Sequence, residues 1–159
     1  VHIGITSQRI QSNFLTYSPI FEENLLLITP LDHHLKTREE IDFIDLDGES
    51  LIFFPENYHT RQLTMSIFDQ LDLVPKISFE TSRTSSIINL VSSGLGIALI
   101  FESHIKTAPE KNFHVIRVNN PTVKRTIYTV INQDRELPVL IHDLQSRIIQ
   151  LFNKENQKS

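Results

Sequence analysis

Polar side chains that could bind a small carboxylate occur at three points where a predicted strand leads into a loop or helix. The candidate ligand-binding residues are Thr6, Ser7, His59, Thr60, Arg61, Thr81 and Ser82. Free N–H groups at helix N-termini donate hydrogen bonds to anions, and the positive end of the helix dipole favours negative charge. Because the carboxyl ends of parallel strands meet at one edge of a sheet, these segments predict a ligand crevice at that edge. The alternative left open is that the hydroxyls only cap their own helices, as Thr81 and Ser82 could do.

The segment SGLG, residues 93–96, raises the question of a phosphate loop or a catalytic turn. A phosphate loop has a lysine and a helix after its glycines, and a nucleophile elbow has a serine where Leu95 stands. Here a helical pattern precedes Gly94, and an apolar strand pattern follows Gly96. We therefore interpret Gly94 as the glycine that ends a helix and Gly96 as a point of close approach to the sheet.

The histidines and paired carboxylates do not predict an enzyme. His33-His34 are adjacent and would point in different directions on any regular element, and the other five histidines lack metal-ligand spacing. The pairs Glu22-Glu23 and Glu39-Glu40 are typical of surface charge rather than of a convergent acid/base pair. We therefore expect no catalytic residues, no metal site and no cofactor.

The elements that must position the candidate residues alternate between strands and helices. Apolar β-rich runs predict strands at 1–5, 24–29, 51–55, 74–80, 95–101, 113–118 and 125–131. Amphipathic spacing predicts helices over 60–71, before Gly94 and near the C-terminus. Strands that alternate with helices indicate an α/β fold with right-handed crossovers and mostly parallel sheets.

Composition narrows the class of protein. The 159 residues suit one ordinary domain, and 40% hydrophobic with 21% charged residues is typical of a soluble globular chain. A net charge of -4 and scattered lysines and arginines argue against nucleic-acid binding by this chain itself. The absence of cysteine is compatible with the cytoplasm, and no apolar run approaches the roughly 20 residues of a membrane helix.

Several segments resemble the effector-binding domain of LysR-type transcriptional regulators. Residues 87–100, IINLVSSGLGIALI, match the family's helix-to-strand signature, with Phe101 in place of its usual proline. The segment 33–35, HHL, stands where the family has an HPL-like motif, and RTIYTVIN at 125–132 also matches. The similarity covers almost the whole chain in order and spacing.

The resemblance implies a periplasmic-binding-protein-like (type 2) fold of two subdomains. Residues 25–130 would form the second subdomain, and residues 1–24 with 131–159 an incomplete first subdomain. The effector would bind in the cleft between them. His59, Thr60 and the Thr81-Ser82 turn match effector-contact regions of the family, and Thr6-Ser7 match them less closely.

The same resemblance implies a regulator that senses a small-molecule effector, which the crevice residues predict to be an organic anion. DNA would be bound only through an N-terminal helix-turn-helix absent from this sequence. We expect a cytoplasmic homodimer or tetramer without membrane contact, paired through the helices that begin near Thr60 and Ser85. The alternative function is a solute-binding protein of a transport system.

Overall fold

A computed structural model of the chain describes residues 3–108, 112–133 and 139–156. Within these ranges the strands are β1 (Ile3–Thr6), β2 (Leu15–Thr29), β3 (Glu40–Asp42), β4 (Ser50–Phe53), β5 (Lys76–Glu80), β6 (Ala98–Phe101), β7 (His114–Asn119) and β8 (Lys124–Asn132). The α-helices are α1 (His59–Gln70), α2 (Thr84–Ser92), α3 (Glu102–Lys106) and α4 (Val139–Asn156). None of the helices in these ranges is long and apolar enough to cross a membrane. The chain divides into two compact units, one from Val1–Glu23 with Lys124–Ser159 and one from Asn24–Val123.

The first unit contains the strand order β1, β8 and the first part of β2, with β1 antiparallel to β8. Glu23 near the end of this part of β2 is only 3% exposed. The Arg125 Nε atom donates a hydrogen bond to the Glu23 Oε1 atom at 2.7 Å. Glu22, its neighbour, is exposed and accepts a hydrogen bond from Lys124 at 3.1 Å. The interpretation of the pair as surface charge is therefore wrong for Glu23, because a strand turns adjacent side chains to opposite faces.

The second unit contains a sheet in which the last residues of β2 lie between β6 and β7 and run antiparallel to both. β3 is parallel to β7, and β4 pairs in parallel with β5 as a separate two-stranded sheet. A parallel bridge between Leu51 and Ile97 joins β4 to the segment before β6. The predicted α/β class is confirmed. The sheets are mixed rather than mostly parallel, because β2 enters against the direction of its neighbours.

The two faces of β4 carry two different cores. Leu51 and Phe53 face a cluster that includes Phe68 of α1, whereas Ile52 faces a cluster that includes Ile87 of α2. Alternate side chains of a strand point to opposite faces. Helices α1 and α2 therefore cover opposite faces of β4, and each begins shortly after one strand of the β4–β5 pair has ended.

The glycines of SGLG have the structural roles that the sequence predicts. Helix α2 ends at Ser92, and Gly94 has a φ of 78° and donates its N–H to the Val91 carbonyl at 2.9 Å. Gly96 lies against β4, where an added Cβ would be 2.6 Å from the Ser50 carbonyl oxygen. Glycine is therefore required at 94 by conformation and at 96 by the close approach of two backbone segments.

Candidate functional site

The candidate site lies in the second unit, where the parallel strands β4 and β5 end. The Thr81 N–H donates a hydrogen bond to the Phe53 carbonyl at 3.0 Å, which holds the two strand ends together. Helix α1 begins at His59, and α2 begins at Thr84. Five of the predicted residues lie in or beside these two connections: His59, Thr60, Arg61, Thr81 and Ser82.

Arg61 supplies the buried charge of the site. Its side chain is 8% exposed, and its guanidinium carbon lies 4.4 Å from the ring centroid of Phe53. Its Nη1 atom is buried and has no hydrogen-bond acceptor among the described residues. The Glu80 carboxylate, 4.0 Å away, is close enough for an ion pair but too far for a hydrogen bond. A buried donor without an acceptor is unfavourable, so this guanidinium is suited to receive an oxyanion.

The starts of α1 and α2 are also suited to an anion. Tyr58 and Arg83 occupy the N-cap positions, and neither of these two side chains accepts a capping hydrogen bond from its helix. The Thr81 hydroxyl instead accepts the Arg83 N–H at 3.4 Å, inside the connecting loop. The alternative that Thr81 and Ser82 cap α2 is therefore wrong, because the helix begins later than those residues. The positive dipole ends of both helices favour a negatively charged ligand.

A β-bulge in β5 decides which side chains face Arg61. The register passes from Leu51 opposite Ile77 to Ile52 opposite Phe79, which leaves Ser78 as the extra residue. Such an insertion reverses the face on which all later side chains lie. Glu80 consequently pairs with Phe53 and lies on the same face as Arg61. No periodicity in the sequence indicated this reversal.

Thr6 and Ser7 belong to the first unit, where Thr6 is the last residue of β1. The Thr6 hydroxyl donates to the Gln8 carbonyl at 3.0 Å and lies 3.1 Å from the Gln8 N–H, which donates to it. This hydroxyl therefore stabilises a local turn. The assignment of Thr6 and Ser7 to a ligand site stays a prediction.

The opposite end of β4 carries a cluster that the sequence did not predict. The Nε2 atoms of His33 and His34 lie 3.4 Å and 3.0 Å from the two carboxylate oxygens of Glu49, and the imidazole centroids are 4.4 Å apart. The expectation that adjacent histidines point in different directions is wrong here, because His33 is an extended cap residue and His34 starts a 3-10 turn. Burial lowers the pKa of His33 below its usual 6.5, and the Glu49 carboxylate opposes this effect. Glu49 is too far from the two histidines in the sequence for a rule on metal-ligand spacing to connect them.

Comparison with known proteins identifies the family of this chain and relatives that are transcriptional regulators. The family model of the LysR substrate-binding domain matches residues 1–152. The chain is 29% identical over 150 residues to the transcriptional dual regulator GltC of Bacillus subtilis (strain 168), covering 93% of this chain and 50% of that protein. It is 30% identical over 125 residues to a probable RuBisCO transcriptional regulator of Synechocystis, covering 76% of this chain and 36% of that protein. The chain spans half or less of the length of the curated relatives that it matches first.

Solved structures give the fold. The CcmR regulatory domain of Synechocystis PCC6803, in complex with 2-PG, has a TM-score of 0.84 at 18% identity, covering 95% of this chain and 73% of that one. The effector-binding domain of QuiR, in complex with shikimate, has a TM-score of 0.74 at 23% identity, covering 95% and 69%. The predicted periplasmic-binding-protein-like type 2 fold is confirmed by these regulatory domains. With a family model that matches nearly all of its length, the chain belongs to the LysR substrate-binding domain family.

Proposed function

We propose that this chain is the effector-sensing domain of a LysR-type transcriptional regulator and that its effector is a small organic anion. The binding site that we assign lies at the N-termini of α1 and α2, with Arg61 as its cationic group. The domain binds its effector without transforming it chemically. Membership of the LysR family and relatives that are transcriptional regulators support the regulatory role over the transport alternative.

One observation carries the choice of an anion. The Arg61 guanidinium is buried and lies on the Phe53 ring, and its Nη1 atom has no hydrogen-bond acceptor among the described residues. A carboxylate would supply that acceptor, and a hydrogen bond between charged groups is shorter and stronger than one between neutral groups. The positive dipole ends of α1 and α2, which begin at His59 and Thr84, also favour a negative charge.

The regulatory output would be a population shift. An effector that binds one arrangement of the regulator better than another displaces the equilibrium between them, and thereby DNA binding. We propose that DNA is bound by a helix-turn-helix N-terminal to this chain, in a cytoplasmic homodimer or tetramer. Support comes from relatives about twice as long that are described as HTH-type regulators. The coding sequence upstream of Val1 tests this: a helix-turn-helix supports the regulator, whereas a secretion signal supports a transport protein.

Effector binding is tested by calorimetry and thermal shift with a panel of mono- and dicarboxylates and of uncharged apolar metabolites. Arg61→Gln removes the buried cation. Arg117→Gln is the matched control, because Arg117 also lies 4.0 Å from a glutamate but is 68% exposed.

We expect a carboxylate to stabilise the wild type and Arg117→Gln equally. Arg61→Gln should bind it at least about tenfold more weakly, as the loss of a hydrogen bond to a charged group predicts. Stabilisation by uncharged apolar compounds alone, or unchanged carboxylate affinity in a folded Arg61→Gln, would refute the anion site.

A further inference from the structure

We propose that His33, His34 and Glu49 form a second binding site, for a borderline divalent cation such as Zn²⁺. The site lies at the amino end of β4, whereas the anion site follows its carboxyl end. It is independent of the effector proposal.

The three side chains already present a compact set of donor atoms. Glu49 places one oxygen 3.4 Å from His33 Nε2 and the other 3.0 Å from His34 Nε2, and the candidate ligand atoms all lie within 4.8 Å of one another. Two ligands of one tetrahedral zinc ion, each about 2.0–2.2 Å from the metal, are separated by roughly 3.4 Å. Small movements of the exposed His34 side chain would therefore complete the geometry.

The chemistry of the donors selects the kind of cation. Two imidazole nitrogens and one carboxylate oxygen are the ligand set of several zinc sites that keep a fourth position for solvent. Imidazole suits zinc, copper and nickel, whereas magnesium and calcium prefer oxygen ligands alone. Glu49 supplies the negative charge, and its side chain and that of His33 are only 17% and 16% exposed. Two of the three ligands are thus already held in place by the fold.

One contact must open when the metal binds. The Leu35 N–H donates a hydrogen bond of 3.3 Å to His33 Nδ1, which places the imidazole proton on Nε2. Coordination through Nε2 moves that proton to Nδ1, so Nδ1 can no longer accept from Leu35. A hydrogen bond of this length is slightly longer than is usual for N–H donors and is therefore weak. Release of the Leu35 amide is therefore a specific signature of coordination by His33.

The test uses the full-length, tag-free protein, titrated with zinc by calorimetry and with cobalt by visible spectroscopy. His34→Ala and Glu49→Gln each remove one ligand. His33→Asn removes Nε2 but keeps a side-chain oxygen where Nδ1 accepts the Leu35 N–H, so the start of the 3-10 turn is preserved. The control is His142→Ala, which deletes an exposed imidazole of α4.

We expect the wild type and His142→Ala to bind one zinc ion at this site with equal affinity. With cobalt, both should give the visible spectrum of a tetrahedral complex. Metal binding should also shift the NMR resonance of the Leu35 amide. Each of the three ligand variants should bind at least about tenfold more weakly. His34 is 67% exposed, so its replacement leaves the fold intact, and circular dichroism verifies this. Absence of zinc binding in the wild type, or an affinity within tenfold of wild type in His34→Ala or Glu49→Gln, overturns the proposal.

Discussion

Replacement of Gly96 by alanine should destabilise the second unit far more than the same replacement at Gly94. At Gly96 the new Cβ would lie 2.6 Å from the Ser50 carbonyl oxygen and 3.2 Å from an Ile52 side-chain carbon. Both distances are inside ordinary van der Waals contact. At Gly94 the new Cβ would meet no atom of the described residues within 4 Å, apart from its own chain neighbours, so the cost there comes from the conformation with φ of 78°.

The magnitude follows from what must move at Gly96. The Ser50 oxygen accepts the Ile97 N–H at 2.9 Å, and the Ile52 N–H donates to the Ile97 carbonyl at 2.9 Å. Relief of the clash therefore pulls β4 away from the segment before β6 and weakens both hydrogen bonds. Overpacking costs about 1–3 kcal/mol, and each weakened hydrogen bond adds up to about 1 kcal/mol. Because the clash is with a backbone oxygen, overpacking should cost the upper part of its range, about 2–3 kcal/mol, and the two hydrogen bonds together about 1–2 kcal/mol. We therefore expect Gly96→Ala to lose about 3–5 kcal/mol of unfolding free energy and Gly94→Ala about 1–2 kcal/mol.

Urea unfolding followed by far-ultraviolet circular dichroism measures both values. The difference between the variants combines the clash with β4 and the unequal backbone strain of alanine at φ of 155° and of 78°. Both contributions make Gly96→Ala the more destabilising change, because alanine tolerates the left-handed region better than a φ near 155°. Equal losses, within about 0.5 kcal/mol, would refute the close approach of β4 to Gly96 as the reason for this glycine.

Two further predictions concern charged groups. Glu23→Gln should lose about 3–5 kcal/mol of unfolding free energy, measured with urea, because it leaves the buried Arg125 without its carboxylate. Glu22→Gln, which changes an exposed ion pair, should lose less than about 1 kcal/mol. Similar losses in the two variants would contradict the burial of Glu23. In metal-free buffer with chelator, the unfolding free energy should fall as the pH drops below about 6.5. The reason is that the pKa of His33 is lower in the folded protein than in the unfolded chain, so the proton binds preferentially to the unfolded chain. The groups that influence this titration are Glu49, His34 and Asp32. His33→Asn should reduce this pH dependence, and an unchanged slope would contradict it.

The fold was predictable where the signal is local. Residues 87–100 carry a helical spacing, a glycine that ends the helix and an apolar strand within one short segment, and the structure confirms each of them. Helix α1 likewise follows from its own amphipathic pattern. The strand predicted at 24–29 proved to be only the end of β2, which begins at Leu15. The polar first part of β2 has no apolar run to indicate a strand.

The strand ends and helix starts that carry the candidate site were predictable, but the contacts among its residues were not. Strand ends and helix starts indicated His59, Thr60, Arg61, Thr81 and Ser82, because these places can be located by pattern alone. The stacking of Arg61 on Phe53, the bulge at Ser78 and the meeting of His33 with Glu49 depend on pairing between segments distant in sequence. Only tertiary structure determines such pairing. The predicted subdomain limits of 25–130 likewise stay a prediction.

The shortness of β4 has a thermodynamic consequence for the two proposed sites. Its four residues, about 13 Å of extended chain, separate Glu49 from the residues that follow Phe53. Linkage requires that, if zinc changes the affinity for the anion by some factor, the anion changes the affinity for zinc by the same factor. Titration with zinc followed by the anion, and with the anion followed by zinc, must therefore give the same total binding free energy. The coupling free energy from that cycle would measure how rigidly a single strand transmits displacement from one end to the other.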